Sequence, residues 1–342
     1  MSAATIDRLL AVLVVAMATT GLLSLRAGNP DQGWVFLVHD VLAGALALTV
    51  AMKLGQSVPR AVAGRHFVRL AFGLVVSLVA VAALVGGYLS VAEGALVWVG
   101  AGSLGPWTVL TMHAWAGLIL LPILVVHVLP RRWRLLRLPR PVSGRPVTGV
   151  PFSRRALIAG GAMAVAGFGM WLGSTTLERV AGGSRRFTGS RLLPAGSLPI
   201  ATTFLGEPTP AVDEASWRVR VEGSVERPSQ LDLSTLRGIG DQELRAVLDC
   251  TSGWAVDATW RGVPLAAVLD HAGALATARR VEIRSVTGWA TSLAIEEARG
   301  ALLAWSVAGG PLPVANGAPL RLVAPNHRGL DWVKWVGTIR VE

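Results

Sequence analysis

The sequence predicts a chain of two parts, a membrane bundle of α-helices followed by an α+β domain. Two observations predict this class. Of 342 residues, 52% are hydrophobic and only 15% are charged, which is more apolar than a soluble domain. The net charge of +11 is also unevenly divided: residues 1–173 hold 14 Lys/Arg and 4 Asp/Glu (+10), and residues 174–342 hold 18 and 17 (+1). The basic excess belongs to the apolar half, so no nucleic-acid partner is expected.

Five apolar runs mark the membrane half. About 20 residues at ~1.5 Å rise cross a ~30 Å hydrocarbon core. The first four runs reach that length, whereas the fifth is shorter and rich in Gly and Ala. We therefore expect four spans plus a fifth anchoring span. The runs are 5–25, 34–54, 67–91, 108–130 and 156–173.

The charges of the loops predict the orientation of these spans. Residues 53–69 carry four cations and no acid, and residues 131–155 carry eight arginines and no acid. The positive-inside rule places both loops in the cytoplasm. We therefore expect a multi-pass protein of the cytoplasmic membrane with a cytoplasmic N-terminus. Everything after residue 173 is then extracytoplasmic.

An arginine pair precedes the fifth run. Residues 153–158 read Ser-Arg-Arg-Ala-Leu-Ile, and with the apolar stretch that follows they resemble a twin-arginine export signal placed inside the chain. The resemblance implies the twin-arginine export machinery as a partner, since that route exports domains already folded. The alternative is that the two arginines only obey the positive-inside rule.

Four of the six histidines lie in or at the ends of the spans, where ionisable groups are costly and usually functional. His113 and His127 are 14 residues apart, which returns to nearly the same helix face about 21 Å along the axis. His39 lies on the outer side with His113, and His66 on the inner side with His127. The four form two same-side pairs, each from two helices. Interfacial polar contacts are the alternative interpretation.

Two imidazoles from separate helices, approaching one iron from opposite faces, are what bis-histidine haem b requires. Residues 1–130 resemble the four-helix membrane cytochromes b that serve as electron partners of extracytoplasmic redox enzymes. The resemblance implies one or two haem b groups, with these histidines as the ligands of the haem iron. It also implies electron exchange with quinone or quinol in the membrane.

Beyond residue 212, short β-like runs alternate with short helical ones, which is typical of an α+β domain. The sequence contains no glycine-rich nucleotide loop, no Gly-x-Ser-x-Gly and no zinc-helix motif. The predicted helices are 233–238, 263–271 and 294–299. The predicted strands are 217–225, 243–250, 280–286, 301–307, 319–324 and 335–341.

The one cysteine of the chain, Cys250, ends a predicted strand. A single cysteine excludes an intrachain disulfide, a Cys₄ zinc site and an iron–sulfur cluster. By itself it is either a sulfur presented at a cleft or a buried small hydrophobe. Its neighbours in 249–254 (Asp-Cys-Thr-Ser-Gly-Trp) and 260–265 (Trp-Arg-Gly-Val-Pro-Leu) resemble the sulfite oxidase-type molybdopterin-binding domains. Further segments agree in the family's order over about residues 195–342, namely 217–223, 288–293, 316–325 and 329–336.

The resemblance implies Mo-molybdopterin as cofactor and Cys250 as the thiolate ligand of molybdenum. A soft thiolate suits that metal. It also implies that Arg321 and Lys334 bind the pterin phosphate, for which a guanidinium fork and an ammonium are suited. The other candidate cofactor-binding residues are Asn316, His327 and Arg328.

Three departures from the sulfite oxidases concern the substrate. Trp254 and Ala255 stand where those enzymes carry arginines that hold an anion. The only tyrosine, Tyr88, lies within a span, and Trp305 takes the place of the family's active-site tyrosine. Sulfite is therefore not the favoured substrate. The tryptophan after the cysteine is similar to the bacterial periplasmic branch that reduces methionine sulfoxide, so a sulfoxide-type substrate is favoured.

The predicted organisation is a four-helix cytochrome b-like bundle (1–130), a basic loop with the fifth span (131–175), a linker (176–212) and an α+β sulfite oxidase-type molybdopterin-binding domain (213–342). We expect an anchored oxidoreductase that exchanges electrons with quinone through haem b. Its reaction is oxygen-atom transfer on a small substrate, in either direction. The alternatives are a haem-free anchored molybdoenzyme with a separate electron partner and a non-catalytic binding or sensing module.

Overall fold

The chain forms two compact units. The computed structural model describes residues 3–64, 67–92, 107–128, 154–180, 184–196, 198–199 and 207–342. The first unit comprises Met1–Ser24, Gly33–Ala95 and Val109–Gly183. The second comprises Leu25–Gln32, Leu96–Thr108 and Ser184–Glu342.

The first unit is helical. Four helices in the described part of the chain are long and apolar enough to cross a membrane, as predicted. Many of their large apolar side chains point outward, for example Val15 (66% exposed), Leu78 (69%) and Val125 (60%), which suits a lipid-facing surface. The helices are α1 (Ala3–Ser24), α2 (Trp34–Ala63), α3 (Phe67–Ala92), α4 (Val109–Val128) and α5 (Arg154–Val180).

Helix α5 confirms the helix predicted at 156–173 and packs closely on α2. A Cβ added to Gly44 would lie 2.7 Å from the Cα of Gly167, so only glycine fits this approach. The Thr49 hydroxyl donates to the Met163 sulfur at 3.2 Å. The apolar stretch Leu157–Gly173 is shorter than the ~20 residues of a full span. Its role as a fifth, anchoring span therefore stays a prediction.

The second unit is built on two sheets. Its helices are α6 (Leu233–Ile239), α7 (Leu265–Ala272) and α8 (Ile295–Arg299). Its strands are β1 (Arg191–Leu192), β2 (Arg218–Gly223), β3 (Ser229–Asp232), β4 (Gln242–Asp249), β5 (Trp254–Pro264), β6 (Arg280–Ser285), β7 (Ala290–Ala294), β8 (Leu302–Val307), β9 (Gly310–Pro311), β10 (Arg321–Val323) and β11 (Val336–Val341). One sheet has the order β1-β5-β8-β10, with β4 beside β5 and β9 beside β8, and the other has the order β3-β2-β11-β6-β7.

The six predicted strands and three predicted helices of this domain are all confirmed within a few residues. The longest strand, β5, was not predicted, although Asp257, Thr259 and Arg261 alternate with buried residues along it. β5 runs antiparallel to β4, so the turn that joins them carries Cys250. Strand β1 pairs in parallel with the start of β5 and lies inside the segment interpreted as a linker.

Candidate active site

Cys250 occupies the tight turn between β4 and β5. Its N–H donates to the Trp254 carbonyl at 2.8 Å, and the Gly253 N–H donates to the Cys250 carbonyl at 3.1 Å. Gly253 has φ +92°, a conformation that favours glycine. The Ser252 N–H donates to the Cys250 sulfur at 3.5 Å, so a backbone donor is aimed at this sulfur. The turn therefore holds a half-buried sulfur in a defined position.

The preceding residue, Asp249, is a buried carboxylate with four partners. It accepts hydrogen bonds from the hydroxyls of Thr188 (2.8 Å) and Ser190 (2.7 Å). Arg328 Nη1 donates to Oδ1 at 2.8 Å, and Arg186 Nε lies 3.1 Å from Oδ2. A carboxylate at 2% exposure is stable only with such neutralisation.

The loop that carries Arg328 lies directly against Cys250. A Cβ added to Gly329 would lie 3.1 Å from the Cys250 Cα, so the two backbones approach closely. Arg328 is 3% exposed, and its Nη2 lies 3.5 Å from the Cys250 carbonyl oxygen. Burial lowers the pKa of Arg328, whereas Asp249 and the Cys250 sulfur act in the opposite direction.

Arg321 and Lys334 are brought together by Gly317. A Cβ added there would lie 3.1 Å from the Lys334 Cα and 3.2 Å from the Arg321 Cβ, and Gly317 has φ +115°. Arg321 Nη1 donates to the Asn316 carbonyl at 2.5 Å. The Lys334 ammonium lies 4.2 Å from the centre of the Trp335 ring. The structure thus places three of the predicted cofactor-binding residues in one cluster.

The charges of this cluster are not balanced. Burial lowers the pKa of Arg321 to about 10, opposed by the charges of Cys250 and Glu207, and burial also lowers the pKa of Lys334. The Lys334 ammonium lies 3.3 Å from a Glu207 oxygen, and that carboxylate also accepts from the Thr287 hydroxyl. Within the described residues, Arg321 Nε is buried without a hydrogen-bond acceptor, and the buried Lys334 Nζ has Glu207 as its ion-pair partner. Two cations with one carboxylate fit an additional anion, and a pterin phosphate satisfies this need.

His327 lies elsewhere in the same loop. Its Nδ1 lies 3.9 Å from Asp331 and its Nε2 3.8 Å from Glu297. The nearby carboxylate of Asp331 and the charge of Glu297 raise the pKa of His327, while burial and Arg26 lower it. The contacts of this histidine run to carboxylates rather than to Arg321 and Lys334. Its predicted role on the pterin stays a prediction.

The two tryptophans singled out for the substrate also differ in setting. Trp254 is fully buried, and its Nε1 has no acceptor within the described residues. Trp305 is half-buried, and the Arg237 guanidinium lies 5.6 Å from the centre of its ring. Trp254 adjoins the Cys250 turn, whereas Trp305 lies on β8.

Sequence reasoning missed the residues that support this site. Arg186, Thr188 and Ser190 hold Asp249, and Glu207 faces Lys334. All four lie in the segment 176–212 that was interpreted as a linker. The hydroxyl and charged residues of this segment show no periodicity, so they do not indicate a strand or helix that would bring them to the site.

The first unit contains the outer histidine pair. His39 lies on α2 and His113 on α4, with ring centres 6.1 Å apart and ring planes at 90°. His113 Nδ1 donates to the Ala83 carbonyl at 2.6 Å. Thr20 Oγ1 lies 2.8 Å from His39 Nδ1 and 2.9 Å from the Ala16 carbonyl. The His113 ring therefore carries the Nδ1 proton, which leaves Nε2 of the neutral ring with a lone pair.

The inner histidine pair is not placed. His127 lies on α4 with His113, as predicted, but its side chain lies outside the described residues, as does all of His66. Arg154 begins α5, and Ser153 and the basic loop before it also lie outside them. In the described part of the chain, no group of three or more His, Cys, Asp or Glu side chains is arranged to hold a metal ion.

Comparison with known proteins identifies the C-terminal domain. Residues 206–342 match the family of the oxidoreductase molybdopterin binding domain. This part of the chain is therefore a molybdenum cofactor-binding oxidoreductase domain of the sulfite oxidase type, and the family predicted from the Cys250 segments is confirmed.

Three curated relatives are similar to this chain. The protein-methionine-sulfoxide reductase catalytic subunit MsrP of Xanthomonas campestris pv. campestris is 34% identical over 36% of this chain and 44% of its own length. The corresponding MsrP of Gluconobacter oxydans is 28% identical over 60% of this chain and 75% of its own length. The uncharacterized oxidoreductase YuiH of Bacillus subtilis is 30% identical over 37% of this chain and 66% of its own length. The chain thus spans less than half of the Xanthomonas relative.

We expect Asp249→Asn to lower the free energy of unfolding of the second unit by about 3–5 kcal/mol, because Arg328 and Arg186 then lose their shared buried anion. The control is Asp257→Asn, which removes the pair with the 76%-exposed Arg245 and is expected to cost less than about 1 kcal/mol. Denaturant unfolding followed by tryptophan fluorescence measures both. Equal costs for the two variants would contradict this assignment.

The raised pKa of His327 predicts a pH dependence of stability. A histidine whose pKa is higher in the folded state stabilises fully below its unfolded value of about 6.5, and this contribution disappears as the pH rises through the folded pKa. The stability difference between wild type and His327→Asn should therefore be largest below about pH 6.5 and shrink as the pH rises above it. His271→Asn is the control. A difference that is constant or grows with pH contradicts the ion pair with Asp331.

Proposed function

We propose that this protein is a membrane-anchored, molybdopterin-dependent oxidoreductase with an extracytoplasmic molybdenum site. It exchanges electrons with the quinone pool through haem b and transfers an oxygen atom to or from a small, sulfoxide-type substrate. The observation that carries the proposal is the pair of buried cations, Arg321 and Lys334, held beside the lone cysteine with one carboxylate between them.

Each residue of the cluster has a defined task in this proposal. When bound, the molybdenum cofactor supplies two-electron oxygen-atom transfer, and the protein supplies position and electrostatics. The Cys250 thiolate binds the metal, and the Ser252 N–H stabilises its charge. Arg321 and Lys334 bind the phosphate of the pterin. Arg328, neutralised by Asp249, holds its loop against Cys250.

The substrate class is proposed from the relatives and from Trp254. Two of the three relatives described above carry names that state the reduction of methionine sulfoxide in proteins. Reduction of a sulfoxide to a sulfide consumes two electrons and two protons and releases water. Oxidation of one quinol to quinone supplies the same two electrons and two protons. Trp254, a buried apolar residue four positions after the cysteine, stands where the sulfite oxidases carry an anion-holding arginine, which disfavours sulfite.

The geometry of the outer histidine pair supports the haem proposal. A haem-ligating histidine donates its Nδ1 proton to a backbone carbonyl or hydroxyl and offers Nε2 to the iron. His113 shows this arrangement, and on a different helix the Nδ1 of His39 lies against the Thr20 hydroxyl. Glycines line both rings: a Cβ on Gly87 would lie 3.0 Å from the His113 ring, and one on Gly21 would lie 3.4 Å from the His39 ring.

The location of the molybdenum site is proposed from the charges of the loops. Leu25–Gln32, which connects two spans on the predicted outer side, belongs to the same compact unit as Ser184–Glu342. This membership supports an extracytoplasmic domain. A folded, cofactor-loaded domain also suits export by the twin-arginine machinery, which Arg154 and Arg155 would address.

We expect purified protein to show the reduced α-band of a b-type haem. His39→Ala and His113→Ala should each remove one haem per chain, because a single imidazole does not replace a bis-histidine site. If the inner site is also filled, the haem content falls from two to one. The control, His271→Ala, should retain the full content. Wild-type protein without a haem band, or both variants with full haem, would contradict the proposal.

We expect methionine sulfoxide to reoxidise the reduced haem of the purified protein. Cys250→Ser should abolish this reaction, because the hydroxyl is a poor ligand for the metal, and should lower the molybdenum content. Stopped-flow absorbance of the haem and metal analysis measure both effects. The internal control is reduction of the same variant's haem by quinol, which should be unchanged. Equal reoxidation by wild type and Cys250→Ser would contradict a molybdenum site at this cysteine.

A further inference from the structure

The connection Leu25–Gln32 packs tightly on the loop that carries Arg328. A Cβ added to Gly28 would lie 2.5 Å from the carbonyl carbon of His327 and 2.6 Å from the Arg328 nitrogen. Those distances leave no room for a side chain, so backbone lies directly on backbone. The contact belongs wholly to the second unit.

An ion pair fastens the same two segments. Arg26 Nη1 lies 3.3 Å from Asp331 Oδ1, and the Asp331 side chain is 5% exposed. Asp331 also accepts from the Thr291 hydroxyl at 2.9 Å and lies 3.9 Å from His327 Nδ1. A buried carboxylate is stable when a cation neutralises it, and Arg26 supplies a cation to Asp331.

The opposite side of this loop faces the cysteine. Gly329 approaches the Cys250 backbone, and Arg328 binds Asp249, the neighbour of Cys250. Residues 327–329 are therefore clamped between Gly28 and Cys250. The other flank of the cysteine turn has a similar clamp, since the buried Thr108 hydroxyl donates to the Ser252 carbonyl at 2.7 Å.

We propose that Arg26 and Gly28 are positioning residues for the molybdenum site, acting through the loop 327–329. They set the place of the Arg328 guanidinium relative to the Cys250 sulfur and thereby the electronic environment of the metal that this sulfur binds. The proposal rests on the proposed function, because it assumes molybdenum at Cys250. It predicts that residues between two predicted spans, far from the domain in sequence, tune the metal centre.

The first test uses the EPR spectrum of partly reduced molybdenum in the full chain, purified in detergent. Arg26→Gln and Gly28→Ala should both shift its g values, and Arg26→Lys should restore the wild-type spectrum because it keeps the charge. The matched control is Arg245→Gln, which also removes an Arg–Asp ion pair from the same unit and should leave the spectrum unchanged.

The second test does not need the metal. Asp331 and Glu297 raise the pKa of His327 and Arg26 lowers it. In Arg26→Gln the titration of His327, followed by NMR and assigned with His327→Asn, should therefore move upward by less than about one pH unit, since Arg26 is largely exposed. In Arg245→Gln it should not move.

The outcomes separate the two proposals. The positioning role alone is overturned if Arg26→Gln and Gly28→Ala both keep a normal molybdenum content and the wild-type EPR spectrum, and the His327 titration does not move in either variant. A wild-type protein that holds no molybdenum overturns the proposed function and the positioning role together. A shift of g values in Arg245→Gln as large as in Arg26→Gln shows a general effect of lost charge and also overturns the positioning role.

Discussion

The candidate site depends on the burial of one carboxylate, Asp249. Its 2% exposure makes two cations and two hydroxyl donors obligatory. These partners come from residues 186–190 and from Arg328, so one side chain ties together segments separated by more than half of the domain. Because Asp249 directly precedes Cys250, fixing the carboxylate also fixes the sulfur.

The buried cations of the domain divide into two groups with different tasks. Arg328 and Arg186 both form ion pairs with Asp249 and stabilise the fold around it. Within the described residues, Arg321 and Lys334 share one carboxylate, Glu207, and this imbalance leaves attraction for an additional anion. The two residues of this second group are those that the family resemblance predicts to bind the pterin phosphate. Because the two groups have different partners, one small region can hold a fixed backbone geometry and also bind an anion.

The sequence predicted much of this fold because its signals are local. Apolar length predicted the spans, and alternation predicted six strands of the domain. Cys250, Arg321 and Lys334 were found through contiguous motifs that resemble one family. The partners of Asp249 could not be predicted, since Thr188 and Ser190 lie about 60 residues away in a segment without periodicity. The pairing of His327 depends on α8 and on the loop 25–32, which no local pattern connects.

The scarcity of lysine gives the chain an unusual chemical property. Its sequence holds two lysines, Lys53 and Lys334. Lys53 is paired with Asp7, whereas the Lys334 side chain is only 12% exposed. An amine-directed acylating reagent therefore has few targets, and the one in the domain belongs to the cluster of Arg321 and Lys334. Acylation of that amine would report directly whether this cluster is open to solvent or covered by a bound anion.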